Sequence, residues 1–441
     1  MSARMNYARN GHTIGSQPIP GTNRWVLFTV IFLAMSFNFI LCFLNTNGVP
    51  ITRLYVELCE VFIVSSAFII SLKYIRLPEY IFLGAVSVYS VLMVLIRAAT
   101  SVEGSIDVRP IRELIIPIAF YMLGTRARSL RDVDKILTLA AILVAIGVVF
   151  EYFFLDTYLR FFNIIMYYIA RGSVSAEQHA LLPTDLFVSA IRPEGRALFP
   201  FLGDHRVSSI FLEPVSPGNF AVILFYWAII RSFSEKSIYY LLFAISLFIT
   251  IMSDNRFGLY MCGLGICVYL LAAVSPKAIV SSALMILPFA AIGLMIEIAY
   301  MHANLTIDDS LLGRAVASGE ALLSLDLFNW LGLQSPDASV NVYDSGYSYT
   351  FGIIGITGFS VLWWIFLTLN GRNAPFFLFR TLSAFYIALI LCVSYSPFTI
   401  KTASVLWFLI GALAYRHKVQ LSEQSKSITL PSPRGCKIPI G

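Results

Sequence analysis

The sequence predicts an all-α polytopic membrane protein with about twelve transmembrane helices. Hydrophobic residues make up 58% of the 441 residues and charged residues only 13%, whereas soluble domains carry roughly 25% charged residues. The mean hydropathy is +0.78. Apolar runs of about 20 residues, long enough to cross a hydrocarbon core of roughly 30 Å, recur along almost the whole chain. This composition excludes a large soluble domain.

The apolar runs predict one transmembrane domain over residues 25–415, flanked by two polar tails. Residues 1–24 lack the short apolar stretch and the small-residue cleavage site of a signal peptide, so they are predicted to be a cytoplasmic tail. Residues 416–441 end in a polar segment rich in Ser and Pro and are predicted to be disordered. The predicted spans are 25–44, 54–72, 78–97, 110–124, 135–155, 214–231, 238–252, 257–274, 278–298, 346–369, 376–395 and 399–415.

Lysine and arginine in the short loops predict the orientation, because cytoplasmic loops carry an excess of both. With both termini in the cytoplasm, seven of the eight lysines are cytoplasmic and only Lys401 is outside. Two long segments then lie outside, at about 156–213 and 299–345. The first contains residues 158–172, which read either as a helix lying on the membrane surface or as a packed loop helix.

The predicted outer face carries arginines rather than lysines, although orientation rules disfavour both cations there. A guanidinium binds phosphate or carboxylate through two parallel hydrogen bonds and keeps its charge when it is partly desolvated. These arginines therefore favour a site for a diphosphate at the membrane edge. The alternative is that single arginines pair with outer acids or lie at helix ends. They are Arg53, Arg109, Arg112, Arg160, Arg171, Arg192, Arg196, Arg206, Arg256 and Arg314.

Four outer arginines lie at or near predicted helix starts: Arg112, Arg206, Arg256 and Arg314. A helix N-terminus presents unpaired N–H groups and the positive end of the helix dipole, which together bind anions. In "RVSSIFLEPVSPGNF" the prolines suit the first turn of a helix. If the intervening segment is helical, Arg206 and the glutamate seven residues later, Glu213, share one face.

The order of these motifs resembles the O-antigen polymerase and ligase superfamily, and within it the Wzy-type polysaccharide polymerases. "RVSSIFLEPVSPGNF" is followed by a span, then "SDNRFG", then "GRAVASGE", and then "DSGYSYTFGIIGITG". The match departs from the family pattern in places. Some polymerases carry an arginine and a glycine at a fixed spacing in each outer loop. Arg192 and Gly203 fit this spacing in the first outer loop, whereas Arg206 and Gly218 miss it by one residue. His302 does not lie in the histidine motif of the ligases.

The resemblance implies a GT-C-like architecture and a membrane glycosyltransferase of the bacterial inner membrane. The donor would be an oligosaccharide on undecaprenyl diphosphate, and the acceptor a hydroxyl of a second lipid-linked repeat. Arg206, Arg256, Arg314, Arg192 and Arg112 would bind the diphosphate. A chain-length regulator (a polysaccharide co-polymerase) and a flippase would be partners, besides membrane lipid.

A base within reach must take the proton of the acceptor hydroxyl. The candidates are Glu213, then Asp344, then His302. Each has a plainer alternative: Glu213 pairs with Arg206 and holds the loop, Asp344 caps a helix, and His302 is packed or solvated. No metal-ligand cluster, nucleotide fingerprint or nucleic-acid motif occurs in the sequence, so no metal, cofactor or nucleic acid is expected.

Two other functions stay open at this stage. One is glycan transfer of the ligase type. The other is a transporter or flippase of lipid-linked glycan, since twelve spans with both termini inside suit a secondary carrier. The two halves show no convincing repeat, the predicted outer loops are long, and no acid or base lies deep in a span as a coupling site beyond Glu57, Glu60 and Glu151, so a carrier is the weaker reading.

Overall fold

The computed structural model describes residues 22–72, 77–100, 109–175, 184–191, 198–232, 236–302, 310–334, 345–369 and 373–427. These residues are almost entirely helical, and they contain no β-strand, only two isolated bridges. The predicted all-α class is confirmed. The helices are α1 (Arg24–Thr46), α2 (Arg53–Leu72), α3 (Leu77–Thr100), α4 (Arg109–Gly124), α5 (Leu130–Phe153), α6 (Leu155–Phe161), α7 (Ile164–Ala170), α8 (Val215–Ser232), α9 (Lys236–Met252), α10 (Arg256–Val274), α11 (Lys277–Met301), α12 (Leu311–Leu323), α13 (Leu327–Trp330), α14 (Gly346–Thr368), α15 (Ala374–Ile390) and α16 (Ile400–Ser427).

In the described part of the chain, seven helices are long and apolar enough to cross a membrane: α1, α2, α3, α5, α10, α11 and α14. Helices α9, α15 and α16 contain shorter apolar stretches. Each of the twelve predicted spans coincides with a helix, but only seven of these helices, in the described part of the chain, are long and apolar enough to cross a membrane. Helix α4 has only 16 residues and begins with charged side chains, and α8 begins with Ser, Pro, Gly and Asn. The chain is therefore a helical membrane protein.

The centre of the bundle is formed by α8, which packs against α9, α10, α15 and α16. Residues 216–228 of α8 are all buried. In the outer helices α2 and α11, by contrast, only 22% of the apolar window is buried, as expected for helices whose other faces contact lipid tails. Charged residues near the start of α8 are consequently held at the end of a helix that is buried along most of its length.

The predicted single helix over 158–172 is instead two short helices, α6 and α7. They are separated at Phe162 and Asn163, and the Asn163 side chain caps α7 by accepting from the Met166 N–H at 3.1 Å. The side chains of Tyr158 and Tyr167 are buried, and the two helices pack against α5 and α1. This segment therefore fits the reading as packed loop helices.

Helix α14 follows the predicted span 346–369 but is interrupted at Gly355, where φ is +69°. A side chain at Gly355 would collide with the carbonyl of Leu331, so glycine is required for both its conformation and its close approach. The break frees carbonyl groups that side chains of α3 satisfy. Arg97 donates to the Gly352 carbonyl, and the Tyr89 hydroxyl donates to the Ile354 carbonyl at 2.5 Å.

The C-terminal helix extends further than the sequence pattern predicts. Helix α16 continues to Ser427, inside the tail that was predicted to be disordered from residue 416. The segment "YRHKVQLSEQSKS" holds Gln, Lys, Leu and Glu, which favour a helix once the preceding turns have formed. The rest of that tail and residues 1–21 lie outside the described residues.

Candidate functional site

The segment before α8 is an irregular loop rather than a helix. It contains one short 3-10 helix, Ser209–Phe211, and the next residue, Leu212, has a left-handed backbone with φ +65°. Ser209 also has positive φ, at +52°, and such conformations are costly for residues other than glycine. The segment between Arg206 and Glu213 is therefore not the helix on which a shared face of the two side chains depended.

Glu151, deep in α5, holds this loop in place. Its carboxylate accepts the backbone N–H of Ser208 at 2.9 Å and that of Ser209 at 2.5 Å. Tyr158 donates its hydroxyl to the Ser209 carbonyl at 2.8 Å. The Ser209 side chain lies against Gly147, where even a Cβ would collide with its hydroxyl. Glu151, one of two buried acids of α5, thus satisfies the loop backbone that leads to Glu213.

Glu213 pairs with Lys401, the one lysine predicted on the outer side. Lys401 Nζ lies 3.0 Å from Glu213 Oε1 and 2.9 Å from the carbonyl oxygen of Phe211, and the Ser216 hydroxyl donates to the same carboxylate oxygen at 2.5 Å. The lysine side chain is 8% exposed and the glutamate side chain 30%. Burial raises the pKa of the Glu213 carboxyl, but Lys401, Ser216 and Arg171 outweigh this effect and hold the pKa below its ordinary value.

A second group of charges lies on α2 and α4. Arg112 donates to Glu113 Oε1 at 2.6 Å and to Glu60 Oε2 at 3.4 Å. The Tyr349 hydroxyl also donates to Glu113 Oε1, at 3.4 Å, and its ring stacks on Tyr395 with centroids 4.2 Å apart. The other carboxylate oxygen of Glu113 is buried without a hydrogen-bond partner. It remains available to a hydrogen-bond donor.

Arg171 connects the two groups. Its guanidinium stacks 4.4 Å from the ring centroid of Tyr168 and donates to Asn38 Oδ1 at 3.3 Å. The charge of Arg171 acts on both Glu213 and Glu60. The two groups and Arg171 lie within electrostatic range of one another, and we name their three cations and three carboxylates the ion cluster: Glu60, Arg112, Glu113, Arg171, Glu213 and Lys401.

The ion cluster has the groups needed to hold an anion beside a carboxylate. Two arginines offer forked donors, and Glu213 is an ionised, partly exposed acceptor. The carboxylates already neutralise the cations, so an anionic ligand is bound only by exchanging some of these pairs. This requirement favours a ligand with strong acceptor oxygens, such as a phosphate.

The structure brings only part of the predicted diphosphate site together. Of the arginines predicted to bind the diphosphate and described in the structure, Arg112 belongs to the ion cluster. Arg206 donates to the backbone carbonyls of Ser253 at 3.2 Å and Ser189 at 3.3 Å, which ties the loop to the turn between α9 and α10. Arg256 is the first residue of α10 and Arg314 is an exposed residue of α12.

The other predicted residues are dispersed. His302 follows α11 as its C-cap residue, and its backbone N–H donates to the Ile298 carbonyl at 3.0 Å. Arg192 and Asp344 lie outside the described residues. Sequence reasoning did not select Lys401, Glu60 and Glu113 as site residues, although Lys401 stood out as the single outer lysine and Glu60 as an acid within a span. Arg171 was one of the outer arginines but was not among the five chosen for the diphosphate.

Comparison with protein-family models, curated proteins and solved structures found no match for this chain. Among the described residues, no group of three or more His, Cys, Asp or Glu side chains is arranged to hold a metal ion. The ion cluster is therefore the feature from which a function must be argued.

Proposed function

We propose that this protein polymerises lipid-linked oligosaccharide repeats at the outer face of the bacterial inner membrane. It transfers a glycan from undecaprenyl diphosphate to a hydroxyl of another lipid-linked repeat. The observation that carries the proposal is the ion cluster, in which Lys401 pairs with the partly exposed carboxylate of Glu213, Arg171 acts on that carboxylate electrostatically, and Arg112 pairs with Glu113 and Glu60.

The chemistry follows from where charge moves. The acceptor hydroxyl oxygen attacks the anomeric carbon, the bond from that carbon to the diphosphate oxygen breaks, and the diphosphate leaves with the electron pair. The hydroxyl proton passes to the carboxylate of Glu213. The cations of the ion cluster stabilise the charge that grows on the departing diphosphate, and this lowers the barrier because the interaction is stronger in the transition state.

The pairing of Glu213 with Lys401 is consistent with a base that stays ionised. It is equally consistent with a purely structural role, in which the ion pair joins the loop before α8 to α16. A carboxylate with a lowered pKa is a weaker base. Release of Lys401 toward the arriving phosphate would restore the basicity of Glu213, since the ammonium is the partner that most lowers its pKa. Asp344 and His302 remain the second and third candidates.

The finer topology belongs to the same proposal. It comprises twelve spans with both termini in the cytoplasm, a GT-C-like architecture, and outer loops that include the Glu213 segment. A chain-length regulator and a flippase would work beside it. Seven helices are long and apolar enough to span a membrane; the other five spans of the proposal would come from the shorter apolar helices α9, α15 and α16 and from α4 and α8.

The test is deletion of the gene in its host, followed by analysis of the lipid-linked glycans and of the finished polymer. Polymerase function predicts loss of the length ladder and accumulation of single repeats on undecaprenyl diphosphate at the outer face. Lipid-linked polymer that is made but not transferred onward would instead indicate a ligase. Single repeats confined to the inner leaflet would indicate a flippase, and an unchanged ladder would contradict the proposal. Purified protein supplied with lipid-linked repeats should then produce the ladder.

A further inference from the structure

Helices α1 and α2 form a hairpin with an apolar groove at its open end. Residues 47–52 connect the end of α1 to the start of α2, and the groove lies between the first turns of α1 and the last turns of α2. Its volume is about 470 Å³, within the range of roughly 300–1,000 Å³ for pockets that bind small molecules. Apolar side chains from both helices line it: Trp25, Val30, Leu33, Phe62, Ile63 and Ile70.

The dimensions and chemistry of the groove suit a single alkyl chain. Its polar side chains, Thr29 and Ser66, donate their hydroxyls to carbonyls of their own helices, those of Trp25 at 2.9 Å and Phe62 at 2.7 Å. The rise along α1 from Trp25 to Leu33 is about 12 Å, close to the roughly 15 Å that one leaflet contributes to the hydrocarbon core. A helix segment of that length, with a diameter of about 10 Å, occupies about 900 Å³ and is too large to enter.

The mouth of the groove, at Trp25, carries positive charge. The Arg24 guanidinium lies 5.3 Å from the ring centroid of Trp25, and because tryptophan is enriched at the membrane–water interface, Arg24 lies at the level of the lipid headgroups. The Thr22 backbone N–H donates to the Arg126 carbonyl at 3.0 Å, which holds the connection between α4 and α5 beside the start of α1. That connection and the first turns of α5 add three exposed cations: Arg128, Arg131 and Lys135.

We propose that this groove binds one acyl chain of an anionic phospholipid, whose headgroup lies against Arg24 and the neighbouring cations. Clusters of arginine and lysine beside the ends of transmembrane helices attract anionic lipids, and the carboxylate of Asp132 offsets only one of these charges. The groove lies in the half of the hairpin farther from the ion cluster, because Asn38 follows Leu33 in α1 and Glu60 precedes Phe62 in α2. Lipid binding here is therefore separate from the proposed glycan transfer.

Photocrosslinking in nanodiscs tests the proposal on the full-length protein. The probe is phosphatidylglycerol with a diazirine midway along one acyl chain, at low mole fraction in phosphatidylcholine, and labelled peptides are identified by mass spectrometry. The control surface is the exposed face of α3 at Val88, Leu92 and Leu95. Labelling of the groove is expected to exceed labelling of α3 several-fold, and unlabelled phosphatidylglycerol should remove the excess whereas added phosphatidylcholine should not. Equal labelling of the two surfaces would overturn the groove site, and equal competition by the two lipids would overturn the anionic headgroup.

Substitutions separate the chain site from the headgroup site. Ser66→Trp fills the groove and should lower its labelling to the level of α3, whereas Val88→Trp, an equally bulky change on α3, should leave groove labelling unchanged. If the melting temperature shows that Ser66→Trp does not fold, Thr29→Trp fills the groove from the facing helix. Arg24→Gln should reduce the preference for phosphatidylglycerol over phosphatidylcholine about fivefold, the effect of one arginine at an anionic membrane surface. Full groove labelling in a folded Trp variant, or an unchanged preference in Arg24→Gln, would contradict the proposal.

Discussion

Removal of the Lys401 ammonium tests whether the ion cluster is a buried, coupled unit. The variant Lys401→Met keeps the length of the side chain but deletes the charge. It leaves the Glu213 carboxylate with the Ser216 hydroxyl as its remaining direct donor, and the Phe211 carbonyl without its ammonium donor. Breaking a buried ion pair from one side costs about 3–5 kcal/mol. Because Glu213 is 30% exposed, we expect the low end, about 3 kcal/mol.

The pair Arg53 and Glu57 is the matched control. It is an ion pair four residues apart on α2 with side chains 79% and 47% exposed, so Arg53→Ala should cost at most about 0.5 kcal/mol. The assay is the free energy of unfolding in mixed micelles for each variant. The double variant Lys401→Met with Glu213→Gln should recover part of the loss, because it removes the orphaned charge. A Lys401→Met cost no larger than that of Arg53→Ala would refute the buried-pair reasoning.

Five further predictions concern catalysis, pH, loop geometry and metal dependence. Glu213→Gln should reduce glycan transfer by about 10²- to 10⁴-fold if the carboxylate is the base, and near-normal turnover with intact donor binding would make it a strut. In the folded protein the pKa of the Glu213 carboxyl lies below its ordinary value of 4.5. Its contribution to stability is therefore complete above that value and is lost as pH falls through the folded pKa. The free energy of unfolding should consequently fall less steeply with acid pH in Glu213→Gln than in wild type. Arg206→Lys should lose most activity because an ammonium lacks the forked donors, while the exposed Arg160→Lys should be silent in the same transfer assay. Gly147→Ala should lower the melting temperature by forcing Ser209 away, whereas Gly263→Ala, with open space around it, should match or exceed wild type; equal melting temperatures would contradict the close packing. Transfer activity should survive EDTA, and loss that magnesium or manganese restores would show a metal requirement.

The sequence could predict the helices because hydropathy is a local property. Each of the twelve apolar segments corresponds to a helix, and their ends agree to within several residues except at the C-terminal end of α16, which continues to Ser427. The breaks were harder to predict. The interruption of α14 at Gly355 depends on the approach of Leu331 and on donors from Arg97 and Tyr89 in another helix, and none of these contacts is visible in the segment itself.

The candidate site was predicted only in part. Glu213 and Arg112 were selected from their positions at helix starts, and both lie in the ion cluster. Arg206 and Glu213 were expected to share one face only if the chain between them was helical. The buried carboxylate of Glu151 instead draws the N–H groups of Ser208 and Ser209 into an irregular loop, so the two side chains serve different contacts.

The sequence by itself determined that this chain is an all-α membrane protein with acids and cations placed near the ends of its spans. Only the tertiary structure decided which of these charges meet. Lys401 lies 188 residues from Glu213, and Arg112 lies 52 residues from Glu60. Such pairs form because helix packing buries the charged groups together, and a buried charge must find a partner. No local pattern specifies that partner, since packing depends on all the helices at once.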